Sequence, residues 1–192
     1  MTHNCLAVLS SLDPVLTGAR KVLVACDFDG TLCSFANSPS DVRIPPSMVE
    51  VLRSLSLSDR IRLAVISGRA LNDLRHQLPI ERVILAGNHG LEIDADGTHF
   101  EHEAAHGIRP YLEQSCRDIK RLLTEWPGAW LEDKQLSLTV HYRDVHSNLH
   151  HDLRCAIRRS QVGRNPMIGL RPAIKALGSM EAPPTMVIRG GV

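Results

Sequence analysis

The chain has 192 residues, 43% hydrophobic and 22% charged, with a net charge of +1. That length and apolar content allow one full domain, or one and a half small ones, around a real core. The near-neutral charge excludes general nucleic-acid or membrane-surface binding as a role, and no apolar stretch is long enough to span a bilayer.

Residues 1–19 are expected as a leader segment, a short helix or loose chain. Met1 to Leu16 lacks the basic start and cleavage site of a signal peptide, so the expected location is the cytoplasm. Five cysteines (Cys5, Cys26, Cys33, Cys116 and Cys155) are scattered without CxxC spacing and read as reduced thiols. Val22 to Cys26 is a continuous apolar run of the kind a buried parallel strand shows. Pro45-Pro46 then precedes Met48, Val51, Leu52 and Leu55, an amphipathic helix with proline in its first turn. Ile61 to Ile66 is a second strand, followed by a helix with Leu71, Leu74 and Leu78 on one face. Arg82 to Ala86 is a third. Alternation of this kind predicts an α/β fold with a parallel, Rossmannoid sheet whose ligands sit beyond the carboxyl ends of the strands.

The character changes after the turn signal at Asp94-Ala95-Asp96-Gly97. Ile108, Tyr111, Leu112, Ser115, Ile119, Leu122 and Trp126 mark a long helix. Ala129 to Glu132 and Leu136 to Tyr142 read as paired strands joined through Asp133-Lys134-Gln135. A helix with Leu149, Leu153 and Ile157 and a strand near Met167 to Leu170 complete an α+β module. The expected divisions are a core over 20–105, the inserted module over 106–177 and an atypical tail over 178–192.

The chemistry gathers where the first strand ends, at Asp27-Phe28-Asp29-Gly30-Thr31-Leu32. Side chains at i and i+2 of an extended segment point the same way, so Asp27 and Asp29 converge on one site. Two converging carboxylates stay ionised only beside a compensating cation, and Mg²⁺, which prefers oxygen ligands and neutralises phosphate, is the expected one. One aspartate as nucleophile and the other as acid/base gives a route to an aspartyl-phosphate; the bland alternative is a turn with two solvated acids. Thr31 reads as a phosphate donor or a helix cap. Ser67-Gly68-Arg69 puts a small hydroxyl and a close-approach glycine at the second strand's end, before a helix N-terminus suited to phosphate, although Ser-Gly is also an ordinary turn. Asn88 and His89 fall at the third strand's end, with His89 read either as a contact to bound sugar or as a structural group. Glu132, Lys134 and Ser137 surround a hairpin turn that, by itself, is a solvated loop. His102-Glu103-Ala104-Ala105-His106 matches the HExxH pattern, which on a helix would bind zinc with Glu103 as base. It lacks a third ligand, and a zinc peptidase is the less favoured alternative.

The motifs Asp27 to Leu32 and Val65 to Arg69 resemble the first two motifs of the haloacid dehalogenase (HAD) superfamily. Ala86 to Ile93 and Leu131 to Arg143 resemble segments of its trehalose-6-phosphate phosphatase family, the second from a sugar-recognising cap. The resemblance implies a HAD-like core with an inserted α+β cap and Mg²⁺-dependent release of phosphate from trehalose 6-phosphate, in trehalose biosynthesis. It implies that Asp27 attacks phosphorus, Asp29 acts as acid and then base, and Mg²⁺ is held by the Asp27 carboxylate and the Asp29 carbonyl. Thr31, Ser67 and Gly68 would hold phosphate, and Asn88, His89, Glu132, Lys134 and Ser137 the sugar. Ile174 to Leu177 looks like the start of the family's next strand, but 178–192 lacks its lysine and acidic pair. The C-terminal part of the core is therefore expected to be missing, through truncation or a frame shift near residue 178, with activity impaired. A phosphatase for another sugar phosphate and a silent remnant are the alternatives; oligomeric state is left open.

Overall fold

Three apolar runs become three parallel strands. The computed structural model describes residues 5–34, 36, 41–164, 168–172 and 185–190. Helix α1 covers Cys5–Gly18, followed by β1 (Val22–Asp27), α2 (Pro46–Ser56), β2 (Ile61–Ile66), α3 (Leu71–Gln77) and β3 (Val83–Gly87). β1 pairs with β2 from Val22↔Ile61 to Asp27↔Ile66, and β2 with β3 from Leu63↔Val83 to Ile66↔Ala86. The crossovers α2 and α3 bury Leu52, Leu71 and Leu74 with Leu63, Val65 and Leu85 on one face of the sheet. This cluster, with Phe28 and Leu32 beneath the turn after β1, fixes the floor of the site.

The turn signal at Asp96-Gly97 closes a hairpin that sequence pattern did not separate. β4 (Glu92–Ala95) and β5 (Thr98–Glu101) extend the sheet antiparallel, in the order β1-β2-β3-β4-β5. Asp96 and Gly97 both have positive φ, 52° and 78°, the geometry that two-residue hairpins need. The sheet is therefore parallel only over β1–β3.

The second module has its own layers. Helix α4 (Arg109–Leu123) ends one turn before Trp126, and α5 (His150–Arg159) and the short α6 (Gln161–Arg164) follow β6 (Trp130–Asp133) and β7 (Ser137–His141). The second sheet runs β6-β7-β9-β8, with β8 at Ile168–Pro172 and β9 at Thr185–Gly190. β9 lies within the segment expected as a separate tail. Instead it joins the cap sheet antiparallel between β7 and β8, and Met186 and Ile188 enter the cluster with Leu112, Leu138 and Leu153. Its apolar Met186-Val187-Ile188 run explains why: those side chains are buried only inside a sheet. Ile174 to Leu177 lies outside the described residues.

His102 and His106 flank a 3₁₀ turn, Glu103–Ala105, rather than riding an α-helix, so they share no helical face. Among the described residues no three His, Cys, Asp or Glu side chains gather as a metal site, and the zinc reading falls.

Candidate functional site

Asp27 is the last residue of β1, and a tight turn carries the chain back beneath it. Gly30 N donates to Cys33 O at 2.8 Å and Leu32 N to Phe28 O at 3.0 Å. The Asp27 carboxylate accepts from Thr31 Oγ1 at 3.4 Å, and no described α-helix starts at Thr31, so the capping alternative drops out. Burial raises the Asp27 pKa, backbone and Thr31 hydrogen bonds oppose this, and the charge of Asp29 adds to the rise.

Asp29 is held by a residue the sequence reading left without a role. Arg69 donates to both its carboxylate oxygens, Nε to Oδ2 at 2.9 Å and Nη2 to Oδ1 at 2.8 Å, in the two-pronged geometry that guanidinium favours. Arg69 is buried, its Nη1 binds Asp73 at 2.6 Å, and its guanidinium lies over the Phe28 ring. Its pKa is raised: burial works against the charge, but the bonds from Asp29 and Asp73 outweigh it. The available signal was an arginine directly after a strand-end Ser-Gly, facing a DxD turn on the neighbouring strand.

Ser67 follows β2 and is buried. Its Oγ accepts from Arg69 N at 3.1 Å, leaving its own proton free to donate. α3 is only seven residues long and starts at Leu71, with Ala70 rather than Ser67 at its N-cap. The expected helix-terminus contribution at Ser67 is therefore replaced by a Ser-Gly-Arg turn. A Cβ at Gly68 would lie 2.5 Å from the His89 ring, so glycine is what lets that imidazole close over the turn.

Asn88 and His89 both adopt left-handed backbone, φ 48° and 58°, a conformation that costs non-glycine residues energy and clusters at functional sites. Asn88 N donates to Arg69 O at 2.7 Å and His89 N to Ser67 O at 3.0 Å, tying the β2 and β3 ends together. His89 keeps an exposed edge, yet its pKa is lowered by desolvation and then by the charges of Lys134 and Arg189.

The cap hairpin reaches the same place. Ser137 Oγ donates to Asn88 Oδ1 at 2.7 Å, while the Asn88 amide donates to Glu92 and, at 3.2 Å, to Lys134 O. Lys134 Nζ donates to Gly68 O at 2.8 Å and lies 3.6 Å from Glu132 Oε2. His141 Nε2 is 2.7 Å from that same oxygen, and its N–H must donate because an ionised carboxylate only accepts. Burial lowers the Lys134 pKa against the pull of Glu132. Burial pushes Glu132 up, but His141 and Lys134 outweigh it and leave its pKa lowered. Thr139, opposite Glu132 on β7, keeps a buried Oγ1 with no partner among the described residues.

Thus Asp27, Asp29, Thr31, Ser67, Gly68, Asn88 and His89 gather at the carboxyl ends of β1–β3. Lys134 and Ser137 are docked onto them from the cap. Glu132 stands one contact further out, through Lys134. The solvated-loop reading of the hairpin is set aside by the burial of Lys134, whose side chain is 11% exposed.

Comparison with known proteins bears on which family the chain belongs to. A family model described as trehalose-phosphatase matches residues 25–165. This chain belongs to the trehalose-phosphatase family. A trehalose-phosphate phosphatase of Mycobacterium bovis is 33% identical over 144 residues, covering 74% of this chain and 36% of that protein. One from Mycobacterium leprae is 34% identical over 165 residues, covering 81% and 38%. An uncharacterized glycosyl hydrolase of Mycobacterium tuberculosis is 36% identical over 157 residues, 12% of its length. The chain thus spans well under half of these relatives. The C-terminal domain of Candida albicans trehalose-6-phosphate phosphatase shares the fold, with a TM-score of 0.77 at 20% identity over 94% of this chain and 61% of that one. The match from 25 to 165 takes in both the trehalose-phosphatase core turn and the cap hairpin.

Proposed function

We propose that this chain binds a sugar phosphate between the β1–β3 ends and the cap hairpin, and hydrolyses it through an aspartyl-phosphate on Asp27. The reading rests on one observation above others: Lys134 of the cap seats on Gly68 O, within the Ser67–Arg69 turn that also grips Asp29. Trehalose 6-phosphate is the proposed substrate, from the names of the relatives.

An Asp27 oxygen attacks phosphorus and the bond to the sugar oxygen breaks, with Asp29 delivering the proton to that oxygen. Water then attacks phosphorus, Asp29 takes its proton, and the Asp27–phosphorus bond breaks to release phosphate. To do this Asp29 must give up at least one of its two Arg69 bonds, and an arriving phosphate dianion competes for that guanidinium. Thr31 and Ser67 hydroxyls donate to the phosphoryl oxygens; Gly68 lets them approach. His89, Glu132 and Lys134 face the sugar, while Asn88 and Ser137, fully buried and bonded to each other, hold the hairpin against the core beside it.

The donor set is all oxygen, as a hard divalent cation requires, and Mg²⁺ is the proposed ion. Because Arg69 occupies the Asp29 side chain, the Asp27 carboxylate and the Asp29 carbonyl would hold it. When bound it supplies positive charge against the dianionic phosphate. The proposed location is the cytoplasm, in keeping with the free thiols of Cys26, Cys33, Cys116 and Cys155; no described helix is long and apolar enough to cross a membrane.

The test is phosphate release from trehalose 6-phosphate and glucose 6-phosphate, with and without Mg²⁺, beside Asp27→Asn. Mg²⁺-dependent release from the trehalose ester that vanishes in the variant is expected. Release that survives Asp27→Asn, or none from the unaltered chain, overturns the proposal.

A further inference from the structure

β7 divides its side chains between two faces of the cap sheet. Leu138 and Val140 pack with Met186 and Ile188 against α4 and α5, so Ser137, Thr139 and His141 point to the other side. That side fronts the ends of β1–β3: Ser137 reaches Asn88 there, and Arg189, paired with Ser137, brings its charge near His89. On β6, Glu132 lies opposite Thr139 and Trp130 opposite His141.

Two polar groups in the middle of this face lack what burial ordinarily demands. Thr139 is 3% exposed, yet its hydroxyl has no hydrogen-bond partner among the described residues, and its neighbour on β9, Val187, offers only carbon. A buried hydroxyl left unpaired costs stability, and nearly all are satisfied. Beside it, His141 Nε2 meets Glu132 at Oε2 and Lys134 lies nearest that same oxygen, so no described residue bonds to Oε1. Trp130 stacks on His141, with ring centroids 4.0 Å apart, and steadies the imidazole that holds Oε2. Directly opposed residues of an antiparallel pair carry their Cβ atoms about 5 Å apart, close enough for one ligand hydroxyl to meet both side chains.

We propose that Thr139 is a sugar-binding residue, its Oγ1 and Glu132 Oε1 together receiving one hydroxyl of the substrate. The sugar hydroxyl donates its proton to the carboxylate, which only accepts, and accepts from Thr139, whose own proton has no other acceptor among the described residues. It enters past Glu132, whose side chain is 24% exposed. Lys134 stands between Glu132 and the Gly68 carbonyl, so the hydroxyl belongs to a ring turned away from the phosphate. The notch therefore favours a disaccharide ester over a hexose phosphate. The assignment rests on the proposed sugar-phosphate site, and it gives a use to an unpaired group that packing alone does not require.

Trehalose titration followed by tryptophan fluorescence tests it, with Trp130 beside the notch as reporter, together with KM for trehalose 6-phosphate and urea unfolding of each variant. Thr139→Val keeps the shape and removes the hydroxyl. It should raise the urea midpoint, because an unpaired buried group is gone, yet weaken trehalose binding about tenfold and raise KM by a like factor. The rise in KM should be smaller for glucose 6-phosphate. Thr139→Ser should restore the binding. A merely structural threonine would move stability and binding in the same direction. Unchanged trehalose affinity in Thr139→Val overturns the assignment. So does a lowered urea midpoint, which would show the hydroxyl already paired within the fold, an equal rise in KM for glucose 6-phosphate, or no trehalose binding by the unaltered chain. Phosphate release with binding indifferent to Thr139 removes this residue and leaves the hydrolysis standing; binding that depends on Thr139 without phosphate release does the reverse.

Discussion

In the cap, β7 has a strand on either side and is buried from Ser137 to Val140, its Leu138 and Val140 packed with α4 and α5 residues and its Ser137 bonded to core Asn88. In the core, among the described residues, β1 has one neighbour, and only the face carrying Val24, Cys26, Leu63 and Val65 is packed by helices. The opposite face leaves Leu23 63%, Ile66 46% and Phe100 49% exposed. The register puts Ile66 and Phe100 in one row with Asp27, through Ala86 and Ile93. Among the described residues, Asp27 thus stands on the less covered of the two sheets, held by its pairing with Ile66 and the bond from Thr31, while Arg69 holds Asp29.

The sharpest way to break this comparison is a matched pair of truncations. Leu138→Ala, at a fully buried site, should cost about 3 kcal/mol in urea unfolding, and Leu23→Ala less than about 0.5 kcal/mol. Ile188→Ala should match Leu138→Ala if β9 is a structural member of the cap; a silent substitution would detach it. Next comes Arg69→Lys, which keeps the charge but loses the two-pronged grip on Asp29. Phosphate release should fall about a hundredfold with little loss of stability, because misplaced acid/base groups cost rate. Equal rates would show that Arg69 does not position Asp29. Ser137→Ala leaves buried Asn88 Oδ1 without its hydroxyl donor and should cost about 1–2 kcal/mol.

The smallest effect is a pH dependence. The Glu132 pKa is lowered from its usual 4.5 in the folded chain. Its contribution is therefore present above about pH 4.5 and lost as pH falls through the lowered value. Lys134, lowered from 10.5, has the same sign in the alkaline range: stability rises as pH climbs through its depressed value, because a buried charge is relieved there while the unfolded chain keeps its proton. Trp130 stacks on His141, which binds Glu132, so its fluorescence should report the acid step. Glu132→Gln should flatten that step; an unchanged acid limb would assign it to other carboxylates.

The three parallel strands, α2, α3 and the cap hairpin were legible because each carries its own period of apolar residues. The convergence of Asp27 and Asp29 with Ser67 and Asn88 followed from strand ends alone. What stayed hidden depends on distant partners. Arg69 meets Asp29 across 40 residues of sequence, and Ser137 meets Asn88 across 49. β9 shows no local sign of the sheet it enters, because its neighbours β7 and β8 come from elsewhere in the chain. The Ser67 turn displaced an expected helix terminus because α3 starts only at Leu71.

The most direct measurement is borohydride reduction during turnover of trehalose 6-phosphate, followed by peptide mass spectrometry. An acyl-phosphate on Asp27 is reduced to homoserine, and that conversion, dependent on substrate, is the predicted result. Phosphate release with Asp27 recovered unchanged would contradict the account.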